Sequence, residues 1–101
     1  MRSVISDDAF KTLLNDHSIV IVLFKSNWND ACRFVLPAFK ALRKQYPKYT
    51  FTTVDVDVCR AAAADVEDLP TFRVYVDTKH TGTYVGTGGN DLRAWVESIK
   101  P

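Results

Sequence analysis

Apolar and polar positions change period several times along the chain, and each change marks an element. The longest apolar run, residues 19–24, is unbroken and mostly β-branched. Such a run predicts a strand covered on both faces, as central strands of parallel sheets are. Ahead of it, Val4 and Ile5 predict a very short edge strand. Ser6 then caps a helix with Asp7 and Asp8 in its first turn, where acids favour the helix dipole. Ile5 and Phe10 stand where a hydrophobic staple would close. Phe10, Leu13 and Leu14 keep helical spacing until His17-Ser18 breaks it.

A second helix is expected over about residues 30–46, because Val35, Ala38, Phe39, Leu42 and Tyr46 fall on one face. Pro37 lies inside it, leaving the Arg33 carbonyl without its usual donor, and Pro47 ends it. Residues 51–58 carry the alternation Val54-Asp-Val-Asp-Val and predict a strand parallel to the central one, since a helix of crossover length lies between. An Ala-rich stretch, residues 59–66, predicts a short third helix, which Leu69-Pro70-Thr71 stops. Residues 72–76 alternate as a strand with one solvated or helix-covered face. A turn over residues 77–80 joins it to a strand over 81–86, forming a hairpin. After Gly88-Gly89, Asn90 is expected to cap a last helix with Leu92, Trp95, Val96 and Ile99 as its apolar stripe. The pattern is α/β, in the order β-α-β-α-β-α-β-β-α, with a central mixed β-sheet flanked by helices.

Composition narrows this picture. A chain of 101 residues, nearly half hydrophobic, fits one domain spanning 1–101. The net charge of +1 gives no bulk electrostatic argument for nucleic acid or membrane, and no apolar run approaches the roughly 20 residues that span a bilayer. Two cysteines are too few for a disulfide framework, and the first residues contain no apolar signal region, so the expected setting is cytoplasmic. His17 and His80 lie apart from the cysteines without ligand spacing, so no metal and no cofactor is expected. Charge is uneven. Arg33, Lys40, Arg43, Lys44 and Lys48 meet no acid between residues 31 and 50, while Asp55, Asp57, Asp65, Glu67 and Asp68 have Arg60 alone against them. A solvated helix face explains the basic set more cheaply than an acidic docking partner does.

The chemistry gathers where residues 19–24 run through a short polar link into the second helix. There stand Trp28-Asn29-Asp30-Ala31-Cys32, then Arg33 and Pro37. With the element order, these residues resemble thioredoxin over essentially the whole chain. Further shared marks are Val54-Asp-Val-Asp57, Leu69-Pro70-Thr71-Phe72 and Gly86. The resemblance implies the thioredoxin fold, a cis proline at Pro70, and a groove in which Trp28, Leu69, Pro70, Thr71 and Gly86 receive an extended peptide.

Two departures stand out against the family's Cys-Gly-Pro-Cys. The position of its attacking cysteine corresponds to Asn29, in an Asn-Asp-Ala-Cys motif, and that of its buried aspartate corresponds to Leu23. Disulfide reduction needs one thiol to form the mixed disulfide and a second to displace the product. Asn29 can do neither, and instead suits the N-cap of the helix. Cys32 shares a face with Val35 and Phe39 and reads as a small buried hydrophobe. Cys59 is expected to be either a surface thiol open to modification or an unremarkable helix-start residue. The reading is therefore a protein- or peptide-binding module unable to act as a dithiol reductase. The alternative is monothiol exchange, completed by glutathione, or redox sensing through Cys32.

Overall fold

The computed structural model describes residues 3–99. In chain order the elements are β1 (Ser3–Val4), α1 (Asp7–Asp16), β2 (Ile19–Lys25), α2 (Asp30–Gln45), β3 (Thr50–Asp55), β4 (Thr71–Val76), β5 (Lys79–Val85) and α3 (Gly89–Glu97). The five strands form one sheet in the order β1-β3-β2-β4-β5. β3 runs parallel to β1 and β2, whereas β4 is antiparallel to β2 and β5. This is the thioredoxin fold, a mixed five-stranded sheet with three helices against it.

β2 lies at the centre, and residues 19–24 are all buried, as the unbroken apolar run requires. Alternate side chains feed two cores. Ile19, Ile21 and Leu23 meet Val35, Phe39 and Leu42 of α2 and Leu92 and Val96 of α3. Val20, Val22 and Phe24 meet Phe10 and Leu14 of α1, together with Cys59 and Ala63. Aromatic contacts bind each layer: the Phe39 ring lies 5.4 Å from Phe51 and 5.5 Å from Phe72, and Phe10 lies 5.5 Å from Tyr75. Burying a side chain of this size stabilises by about 1.5–3 kcal/mol. The strand's position is therefore fixed from both sides.

Local signals also hold. The Ser6 side chain caps α1 by accepting from the Ala9 N–H at 3.0 Å. The expected staple does not form in the same way, because Ile5 is 79% exposed while Phe10 turns into the core.

Three further expectations are corrected. Residues 56–70 contain no helix despite their alanines. Ala61 and Ala62 donate their N–H groups to the Asp7 carboxylate, at 3.3 and 2.9 Å. Helical bonds to the carbonyls of Asp57 and Val58 are therefore not made, and a set of turns results. The order is thus β-α-β-α-β-β-β-α. The hairpin turn is tighter than expected, with Asp77 and Thr78 alone between β4 and β5 at φ of 50° and 73°. Positive φ at both central positions matches the right-handed twist of paired strands. Finally, α3 starts two residues early with Gly88 as N-cap, so Asn90 sits within the first turn and does not cap.

Candidate functional site: one end of the sheet

β2 ends, β4 begins and β5 ends on the same side of the molecule. The strand register pairs Thr71 with both Phe24 and Val85. The link after β2, the loop before β4 and the bend after β5 are consequently neighbours, and they carry Trp28 to Cys32, Leu69-Pro70 and Gly86 respectively.

The link is built by short hydrogen-bonded turns. Buried Ser26 accepts the Trp28 N–H on its Oγ at 3.4 Å, and its carbonyl accepts the Asn29 N–H at 3.3 Å. Trp28 is 69% exposed, yet its indole is fixed, because Nε1 donates to Asp57 Oδ2 at 3.1 Å. Ser26 Oγ donates to the same oxygen at 3.4 Å. Asp57 is oriented in turn, as its N–H donates to Asp55 Oδ1 at 2.8 Å. Sequence reasoning took Asp57 as part of a strand, a shared family mark and one of an acidic set, and missed its bond to Trp28; the structure places it two residues beyond β3, the strand that pairs with β2.

α2 starts at this link. Asn29 is its N-cap, and Oδ1 accepts the Cys32 N–H at 3.1 Å. The side chain is thereby committed to an amide that would otherwise lack a partner at the helix start. One turn on, Arg33 pairs with Asp30. Cys32 is 1% exposed, on the face of α2 that also buries Val35 and Phe39. Leu23 is completely buried in the core beneath.

Cys59 is the other free thiol, and its surface reading is overturned. The residue is fully buried against the opposite face of the sheet, with Sγ 3.8 Å from the Val4 carbonyl. Burial pushes the Cys59 thiol up from its ordinary pKa, and the nearby Asp7 and Asp55 carboxylates add to this.

Facing the link is the loop before β4. The Leu69–Pro70 peptide is cis, Pro70 is fully buried, and Leu69 rests half-buried on the core around Phe24 and Val54. Thr71 is buried and its Oγ1 donates to the Asp68 carbonyl at 2.5 Å. Among the described residues, the backbone of Leu69 takes part in none of the turn and loop hydrogen bonds. Gly86 bends the chain at φ 152°, and a Cβ there would lie 2.8 Å from Tyr84 Oη. No other residue fits that bend without displacement.

A second polar arrangement lies behind this loop and was missed in the sequence. For β4 a solvated or a helix-covered face was expected, and at Arg73 the face is covered, the residue being 7% exposed. Its guanidinium lies 5.1 Å from the Phe24 ring centroid and donates to Asp65 Oδ1 at 2.9 Å and to Tyr75 Oη at 3.5 Å. Its Nε has no hydrogen-bond partner among the described residues. Hydrogen bonding from Arg73, together with its charge, holds the Asp65 carboxyl below the usual carboxylate range.

The histidines sit elsewhere. His17 ends α1, while His80 belongs to β5, its Nε2 beside Thr83 Oγ1 at 2.6 Å. No cluster of three metal-ligating side chains occurs among the described residues, and no described helix is long and apolar enough to cross a membrane. Lys40, Arg43, Lys44 and Lys48 stand exposed and outside any salt bridge among the described residues.

Comparison with known proteins gives a consistent result. The family model described as Thioredoxin matches residues 2–98. The chain is 32% identical to the thioredoxin of Mus musculus over 98 residues, covering 93% of each chain, and 29% identical to that of Bos taurus over 103 residues, covering 98% of each. Among solved structures, Plasmodium falciparum thioredoxin superposes with a TM-score of 0.94 at 26% identity, covering 99% of this chain and 100% of its own. Fasciola hepatica thioredoxin gives a TM-score of 0.92 at 31% identity, with the same coverage.

Proposed function

The chain belongs to the thioredoxin family, and we propose that it works as a protein-binding module that retains the peptide groove without the dithiol chemistry. The observation that carries this reading is Asn29. It stands at the helix start where, in the family, the attacking thiol meets the substrate disulfide, and its amide oxygen is occupied in capping Cys32 N–H. An amide cannot form a mixed disulfide, and without one there is no covalent intermediate for a second thiol to resolve. The proton-relaying acid is absent too, since Leu23 fills that position as core.

Binding makes different demands. An extended peptide adding to the sheet edge needs free main-chain groups, a flat apolar surface and room for alternate side chains. Leu69 supplies the unengaged backbone, Trp28 the fixed aromatic face, and Pro70, Thr71 and Gly86 the floor. The partners on this reading are extended segments of other proteins in a reducing, cytoplasmic setting. Monothiol exchange through Cys32 ranks below this, because a sulfur 1% exposed is not presented to a protein disulfide.

Two experiments test the proposal. Native Cys32 should resist iodoacetamide at neutral pH and react once the chain is denatured; rapid native labelling would favour the monothiol reading. Asn29→Cys should bring back reduction of insulin disulfides by dithiothreitol. If this variant reduces small disulfides but never insulin, the groove is not intact.

A further inference from the structure

Residues 56–70 carry one side of the groove at each end. Asp57 fixes the Trp28 indole at the start, and Leu69-Pro70 forms the facing wall at the finish. Having no helical ladder of its own, this segment depends on ties to the body of the protein. Near its start, Asp7 accepts the Ala61 and Ala62 N–H groups. Further on, two polar ties hold it to β4: Asp65 to Arg73, and the Asp68 carbonyl to Thr71 Oγ1. The first joins residues eight positions apart and closes a loop whose far side is the Leu69–Pro70 peptide.

The two partners are unequally placed. The Asp65 side chain is 76% exposed, while that of Arg73 is 9% exposed and stacked on Phe24. An exposed ion pair contributes little to stability, but a buried guanidinium that loses its anion is strongly disfavoured. Tyr75 Oη, at 3.5 Å, would be the remaining neighbour, and Nε is already unsatisfied. Relief would come from moving the guanidinium toward water, and Ala62, Ala63, Val66 and Leu69 pack in the core that holds Phe24, on which the guanidinium lies. The wall would shift with it.

We propose that Arg73, held by Asp65, is the positioning residue of the groove, setting the height of the Leu69-Pro70 wall against Trp28. This rests on the peptide-groove reading above. Arg73 touches no partner itself and acts through residues 65–70.

The test uses Asn29→Cys as the background and two substrates, insulin with dithiothreitol as reductant, and a small disulfide given to the pre-reduced protein freed of dithiothreitol. Insulin must lie in the groove, whereas 5,5′-dithiobis(2-nitrobenzoate) needs only the thiol. Adding Asp65→Asn should lower kcat/KM for insulin by about tenfold to a hundredfold, the range that a displacement near 1 Å can cause, and leave the small disulfide unchanged. Arg73→Met, which removes the buried cation without stranding it, should lower insulin reduction while the thermal midpoint holds. Equal losses on both substrates, or no loss on either, would overturn the proposal. Should Asn29→Cys reduce the small disulfide but not insulin, the groove reading fails. Amide exchange at Ala63 and Val66 in Asp65→Asn then decides the tie: acceleration upholds it, and rates unchanged from wild type overturn it.

Discussion

The two sides of the site differ in what they ask of a residue. On the proposed reading, the α2 side is where the family places particular atoms, a sulfur at the helix start and a carboxyl beneath it. At these positions Asn29 and Leu23 are sound structural residues, one an N-cap and the other core. The β4–β5 side depends on backbone shape, through a glycine at 86 and a Leu69 main chain left out of the turn and loop hydrogen bonds among the described residues. A fold can replace a reactive atom without disturbing its packing, while a wall made of backbone cannot be altered without moving its neighbours. This contrast predicts that the α2 side is optimised for stability and the opposing wall for shape.

The strongest challenge to that contrast is Leu23→Asp. Placing an acid at this completely buried position, amid Val35, Phe39 and Phe72, should destabilise the chain by about 3 kcal/mol or more in urea unfolding, since a buried charge or unsatisfied carboxyl replaces packed methyls. A cost below 1 kcal/mol would mean that the site accommodates an acid. Next is Gly86→Ala, where a positive φ and the Tyr84 hydroxyl both oppose a side chain. A loss of about 1–3 kcal/mol is expected in the same assay, and a neutral result would show that the wall is softer than its geometry implies. Asn29→Ala removes the cap from α2 and should cost about 1 kcal/mol. A stabilising outcome would contradict the structural role assigned to Asn29.

The smallest effect concerns acid. Because Arg73 depresses the folded-state pKa of Asp65, its stabilising share is complete above the ordinary carboxylate pKa of about 4 and is lost as pH falls through the lower folded value. Asp65 is mostly exposed and the share is accordingly modest. Acid unfolding monitored by circular dichroism should be slightly less steep in Asp65→Asn than in wild type. Identical profiles would show that the tie carries no linked proton.

Much of the fold was legible because local and long-range preferences agreed. Residues 19–24 could only be a strand buried on both faces, the Ser6 cap needs nothing beyond its own turn, and the stripes of α2 and α3 point to one core. Legibility failed where a distant group intervened. The alanines of residues 59–66 have high helix propensity, but a carboxylate some 55 positions away takes two of their amides. The same loop buries Cys59 and Arg73, neither of which has a local signal for burial. In the site itself, the motif around Asn29 and the loop at Pro70 were readable from family resemblance, whereas the Asp57 bond to Trp28 and the Asp65–Arg73 tie join elements that only the folded chain brings together.

The central claim is tested most directly with the unmodified protein, thioredoxin reductase, NADPH and insulin, with no glutathione present. The account predicts NADPH oxidation no faster than with reductase and insulin alone. Sustained oxidation, with many disulfides reduced per molecule of this chain, would contradict it.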